Sequence, residues 1–448
     1  MSRQLPLTFQ QEWLWDVIQE NQSWQCAGAR AFRLSGLLNV SLLQKCLHEV
    51  GQRHDALRTQ VATRDGGVWQ EIRDQDKCIL DCITLSDASN EQLAVSARRH
   101  FEGVCDRKIN ISAEPFWNAR VLELNEHEHW LVLAMHRLIG DCATIEQIYR
   151  EIKLLYDEQL EGRPSALKPA AQYGGYTVWQ QQTSAEWVER HEPHWKRYLA
   201  EATSIQWPVD RDLTATAPGI LGKAQCSFGR ALSADLLALA RAVRTLPAVP
   251  MLAIYAAVLW RWCQQRDFVL PLNTTGRPTA YKSAIGYFSY PLYLRIHMTG
   301  DETFRDLVSH VGNEFFSSMS HQDFGRLARQ RPELLTGTLF QWLTSYPEEA
   351  PKELVRVREF GEGMTLVPPG MTSLEVTVFD TATDLHAFGS YRADRFTAKS
   401  MQRFMADLRW VAELFIHDPD TRIAAVAEVG GDVDGTAERD TLGVARSA

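Results

Sequence analysis

The chain has 448 residues, 45% of them apolar and 23% charged, the composition of a globular protein with room for about two or three domains. Its 47 basic and 56 acidic side chains leave a formal charge of −9, so nothing draws it generally to phosphate backbones or anionic lipid. Nucleic acid and membrane are therefore not expected partners.

The amino terminus, MSRQLPLTFQQEWLW, lacks an uninterrupted apolar core and a small-residue cleavage site, and so does not read as a secretory signal. A discrete cytoplasmic protein is expected. Over residues 39–52, Leu42, Leu43, Cys46, Leu47 and Val50 recur at helical spacing, with Asn39 or Ser41 available as the cap. The polar string from Asn125 to His129 contains His127 and His129 but reads as a hairpin turn rather than a metal site. Residues 130–135 (WLVLAM) form a continuous apolar run of strand length, followed by Ile145, Ile148, Ile152 and Leu155 on one helical stripe. Thr144 with Gln147 resembles a capping box for that helix, and Asp141 could equally cap it.

Residues 161–175 are rich in Pro, Gly and Ala without periodicity, and are the best candidate for a connection between two halves. Beyond it the pattern predicts a buried helix at residues 251–263, about twelve apolar residues long and too short for a bilayer. Strands follow at 267–272 and 291–296, then a helix carrying Phe304, Leu307, Val308 and Val311, and a late helix with Met401, Phe404, Leu408, Val411 and Phe415. The expected organisation is residues 1–175, 176–429 and a mobile polar tail over 430–448. Cys26, Cys46, Cys78, Cys82, Cys105, Cys142, Cys226 and Cys263 include no Cys-x-x-Cys pair, so neither a disulfide frame nor a zinc site is indicated. No phosphate-binding glycine loop and no Gly-x-Ser-x-Gly elbow occurs, which removes the usual support for nucleotide chemistry and for a serine hydrolase.

The segment Met135-His136-Arg137-Leu138-Ile139-Gly140-Asp141-Cys142 puts titratable groups where an apolar strand gives way to a helix, a common place for functional side chains. Taken alone, it reads as well as a core-edge histidine beside a structural Arg–Asp pair.

Its surroundings resemble, in chain order, the condensation domain of nonribosomal peptide synthetases. The residues from Leu7 to Trp15 (LTFQQEWLW) are similar to that family's opening block, and Arg53-His54-Asp55-Ala56-Leu57-Arg58-Thr59 to its second. The segments 173–180 and 194–199 resemble the lobe boundary, and 207–211 the fourth block. Gly276-Arg277-Pro278 with 285–288 and 291–295 resembles the fifth, His321-Gln322-Asp323 the sixth and Leu339-Phe340-Gln341 the seventh.

The resemblance implies an α/β fold with mixed sheets, built as two chloramphenicol-acetyltransferase-like lobes around a central tunnel. It also implies carrier proteins, acyl or peptidyl, that deliver phosphopantetheine-bound groups from both ends, with no intrinsic cofactor, metal or nucleotide. An amine, or less readily a hydroxyl, of a small molecule or of a second carrier's cargo attacks the acyl thioester. The family's central motif, His-His-x-x-x-Asp-Gly, reads His136-Arg137-Leu138-Ile139-Gly140-Asp141-Cys142 here. Arg137 replaces the histidine that faces the reaction, and Cys142 replaces the last glycine.

A guanidinium stays protonated at physiological pH, so Arg137 can stabilise negative charge but is no general base. If the strand ran through both residues, His136 and Arg137 would face opposite sides, and His136 could not substitute in place. Asp141 should pair with Arg277, which the family places opposite it, and Cys142 reads as a small buried residue rather than a nucleophile. His54 and His321 read as loop-fixing residues. Two functions follow: an acyltransferase acting on a carrier-bound thioester, or a catalytically silent domain that binds a carrier protein or recruits a tailoring enzyme. The second is suggested because the oxygenase-recruiting domain of glycopeptide synthetases also has Arg after the first His.

Overall fold

In the computed structural model, which describes residues 3–20, 27–85, 89–105, 115–208, 210, 221–323, 325–344, 372–381 and 383–428, the strands sort by chain position into three sheets. The polar tail over 430–448 and Cys26 lie outside the described residues.

The first part of the chain runs β1 (Arg3–Pro6), α1 (Phe9–Glu20), β2 (Ala27–Ser35), α2 (Val40–Arg53), β3 (Thr59–Arg64), β4 (Gly67–Ile72) and β5 (Leu80–Thr84). It continues through α3 (Asn90–Cys105), β6 (Trp117–Asn125), β7 (Glu128–His136) and α4 (Cys142–Leu160). These strands form a small sheet, β1-β4-β3, and a four-stranded one, β2-β7-β6-β5, in which β5 and β6 are parallel. The apolar run in β7 is explained by burial on both faces. Leu131, Leu133 and Met135 enter the main core with α2 and α4, while Trp130, Val132 and Ala134 join a second cluster with Ala97, Phe101 and Val104 of α3. Asn39 caps α2, its side chain accepting from the Leu42 N–H at 3.0 Å, as its short polar side chain suits it to do. The turn at Glu126 and His127 closes the β6–β7 hairpin, with His129 already inside β7.

Helix α5 (Tyr173–Tyr198) leads to β8 (Leu221–Ser227), α6 (Gly229–Ala242), α7 (Ala248–Cys263), β9 (Asp267–Thr274), β10 (Tyr290–His297) and α8 (Phe304–Ser320). After these come α9 (Arg326–Gln330), β11 (Thr338–Thr344), β12 (Leu374–Asp380), β13 (Leu385–Arg392), α10 (Ala398–His417) and α11 (Ala424–Glu428). Their strands make a six-stranded mixed sheet, β10-β9-β11-β12-β13-β8. Helix α7 is buried from Val249 to Trp260, as its apolar surface on every side requires. Among the described residues, no helix is long and apolar enough to cross a membrane.

The expected connection over 161–175 ends earlier than its composition suggests. Tyr173, Gly174 and Gly175 already belong to α5. Gly174 serves close packing, since a Cβ there would come within 2.5 to 2.9 Å of Arg3, Leu5 and Asp55. Glycine content marks both turns and tight contacts, and only the neighbouring chain distinguishes them.

Candidate functional site

The motif segment begins where β7 stops. The strand does not continue through His136 and Arg137: Arg137–Ile139 form one turn of 3-10 helix, which His136 caps. The expected alternation of faces therefore does not govern the pair, because the extended backbone that produces it ends at His136. His136 Nδ1 accepts the Leu138 N–H at 3.2 Å, and its ring lies against Phe116 with centroids 5.2 Å apart. An accepting Nδ1 carries no proton, which defines the neutral Nε2–H tautomer. Burial, reinforced by the neighbouring Arg137 guanidinium, lowers the His136 pKa to about 3. Arg137 is itself buried, 3% exposed.

Gln11 holds this turn from the side of α1. Its Nε2 donates to Leu138 O at 2.7 Å and to Gln70 Oε1 at 3.2 Å, while its Oε1 accepts the Thr8 N–H at 3.0 Å. Gly140 ends the turn in extended backbone. A Cβ there would fall 2.5 Å from Met135 Sδ and 2.7 Å from Thr144 Cγ2, so a larger residue would force those side chains to shift.

Asp141 caps α4, accepting from Thr144 N at 3.0 Å and Thr144 Oγ1 at 3.1 Å. Of the two sequence-level cap readings, this is the one realised. The same carboxylate reaches the other half of the chain: Arg277 Nη2 donates to Oδ1 at 2.7 Å, Phe288 N to Oδ2 at 3.2 Å, and Ser289 Oγ to Oδ2 at 3.4 Å. Arg277 is fixed in turn by the Ala284 carbonyl and by Phe288, whose ring centre is 4.2 Å from the guanidinium carbon. Thr144 Oγ1 also lies 2.9 Å from Gly286 O, so its single proton is shared between that carbonyl and Asp141 Oδ1. Tyr173 continues the seam, donating to Tyr287 O at 2.6 Å and bonding Thr8 Oγ1 at 2.9 Å.

Cys142 opens α4 and is buried, with Gln341 Nε2 3.8 Å from its sulfur. Burial raises its thiol pKa despite the nearby Arg137 and Arg30, so it has the character of a core thiol. His54 Nε2 lies 2.8 Å from Glu151 Oε2, pinning the end of α2 to α4. His321 sits at the end of α8, in contact with His191 and His194 of α5. The structure thus brings His136, Arg137, Gly140, Asp141, Cys142 and Arg277 to one seam and leaves His54 and His321 outside it. Gln11, Phe288 and Ser289 carry no sequence signal for their contacts beyond lying in or beside the resembling blocks. Among the described residues, no group of three His, Cys, Asp or Glu side chains could hold a metal ion.

Residues 1–430 match the family model described as Condensation domain. A chondramide synthase of Chondromyces crocatus is 25% identical over 413 residues, which cover 88% of this chain and 10% of that protein. The chain spans a tenth or less of the length of the curated relatives first matched. Among solved structures, the SgcC5 protein of Streptomyces globisporus superposes with a TM-score of 0.80 at 21% identity, covering 93% of this chain and all of that one. The X-domain solved in complex with OxyB from teicoplanin biosynthesis gives 0.77 at 21% identity, covering 96% and 97%. At that identity the two structures speak for the fold.

Proposed function

The chain belongs to the condensation-domain family, and from that membership we propose that it joins a carrier-bound acyl group to an amine. The acyl group arrives as a phosphopantetheine thioester on an acyl or peptidyl carrier protein, and the amine belongs to a small molecule or to a second carrier's cargo. In this reading, residues 1–175 and 176–429 act as two lobes, and the His136–Cys142 segment borders the tunnel between them. The amine nitrogen bonds to the thioester carbon, the C–S bond breaks, and the proton shed by the amine leaves with the thiol.

The observation that carries this reading is the pairing of an intact Asp141–Arg277 clamp with a segment that offers no general base. His136 has its Nδ1 occupied and its basicity suppressed, and Arg137 is a permanent cation. An alcohol needs deprotonation as it attacks, whereas a neutral amine is already nucleophilic and gains chiefly from alignment. Arg137 serves as an electrostatic partner for the developing oxyanion.

The second reading is a silent platform that binds a carrier or recruits a tailoring enzyme such as an oxygenase, and Arg137 in place of histidine is what favours it. The deciding experiment is mass spectrometry of products from an acyl-loaded carrier protein and a panel of amines and alcohols, with wild type, Arg137→Ala and Arg137→His. Amide formation that falls in Arg137→Ala supports the acyltransferase. No product from any variant, with tight carrier or oxygenase binding by the same preparations, replaces it with the platform.

A further inference from the structure

Helix α5 is an arm that crosses between the two parts of the chain. Its first turns are bound to the amino-terminal part: Gln180 Oε1 accepts the Phe9 N–H at 2.8 Å, and Gln181 Nε2 donates to Leu7 O at 3.2 Å. Its last turns grip the chain at the end of α8. Trp195 Nε1 donates to His321 O at 2.7 Å, and Trp187 Nε1 donates to Gln322 O.

Three imidazoles fill this grip. His191 Nδ1 and His321 Nδ1 are 3.0 Å apart, so one must donate and the other accept. His194 stacks on His321 with centroids 3.7 Å apart and planes 5° from parallel, and its Nε2 is buried without a hydrogen-bond partner among the described residues. The neutral pair already holds one proton between the two Nδ1 atoms, and a first added proton goes to the donor ring's free Nε2 and leaves that bond intact. A second makes both Nδ1 atoms donors and aims two N–H groups at each other, beside a stacked third ring.

We propose that His191, His194 and His321 form an acid-released clasp that fastens the α5 arm to the end of α8 at neutral pH and frees it on acidification. Burial, followed by His321 itself, lowers the pKa of both His191 and His194. The charged surroundings are mixed. On α5, Arg190 and Arg197 oppose protonation and Glu186 favours it; on α8, Glu314 is engaged by Tyr198; on α9, Arg326 bonds Ser184 and faces Phe9 and Trp187. In the intervening loop Asp323 is buried and its carboxyl is pushed up to about 7. Its sign is opposite: protonation below pH 7 relieves a buried charge, whereas His191 and His194, held below their free value near 6.5, lose stability as pH falls through that value. A global melting curve therefore mixes the two, and the clasp must be read locally.

The test is hydrogen exchange by mass spectrometry on the full chain at pH 7.5 and 5.5, with labelling times scaled for intrinsic exchange. Peptides over 187–198, on the α5 side and clear of Asp323, should lose protection about tenfold at the lower pH, the equivalent of one unit of protonation linkage. Peptides of α7 serve as the internal reference and should keep theirs. In His191→Gln/His194→Phe, which preserves a hydrogen-bonding group and a stacking ring without titration, clasp protection should stay within about twofold between the two pH values. Unchanged wild-type protection, equal loss in the double variant, or loss that spreads to α7 would each overturn the proposal.

Discussion

The segment from His136 to Cys142 has two ends that are built differently. At the Asp141 end, one carboxylate gathers donors from its own helix and from Arg277, Phe288 and Ser289 across the seam. At the His136 end, the bonds described stay within the amino-terminal part, from Leu138 N to the imidazole and from Gln11 to Leu138 O. The first end is architecture that depends on both parts of the chain, and the second is where acid–base chemistry would reside. Under the proposed function, Arg137 in place of the family's histidine would alter the chemistry at the second end without touching the clamp at the first.

The sharpest way to break this contrast is Asp141→Ala, which strips Arg277 of its partner in a buried site and should cost about 3–5 kcal/mol in equilibrium denaturation. Replacing both residues by Leu should recover part of that loss, and a single-variant cost under about 1 kcal/mol would refute the clamp. At the other end, the folded His136 binds fewer protons than the unfolded chain, so its stabilising contribution is complete above pH ~6.5 and declines as pH falls toward about 3. By pH 5 it should have cost about 2 kcal/mol, and an NMR titration should show the ring still neutral there. A His136 resonance that titrates near its free value would contradict the buried, Nδ1-accepting imidazole.

Thr144→Val removes the bonds to Asp141 and Gly286 while keeping the shape, and should cost about 1.5 kcal/mol in thermal or chemical denaturation. The smallest effect is expected far from the seam, where Asn39→Ala deletes a helix cap on α2. It should lower stability by about 1 kcal/mol and leave the pH dependence unaltered. If the cap costs as much as Thr144, the seam has no special standing.

Much of this was legible in the residues. The stripe of Ile145, Ile148 and Ile152 announced α4, and the unbroken run in β7 announced a strand covered on both faces, because periodicity reports directly on which sides are dry. Asp141 and Arg277 were expected to meet through the family resemblance, and they do, at 2.7 Å. Other features were hidden for physical reasons. The break at His136 is a backbone event, and His-Arg-Leu-Ile contains no glycine or proline to signal it. Gly174 and Gly175 looked like a linker because composition cannot distinguish a glycine that bends the chain from one that makes room for Asp55.

By itself, the sequence determined the helices and strands with strong periodicity, the family, and the chemical limits of Arg137, since each depends on residue type and local spacing. Only the tertiary structure decided the state of His136, the donors around Asp141 and the meeting of His191, His194 and His321. Those depend on burial and on residues some 130 to 150 positions apart brought within hydrogen-bond distance, which no local pattern encodes.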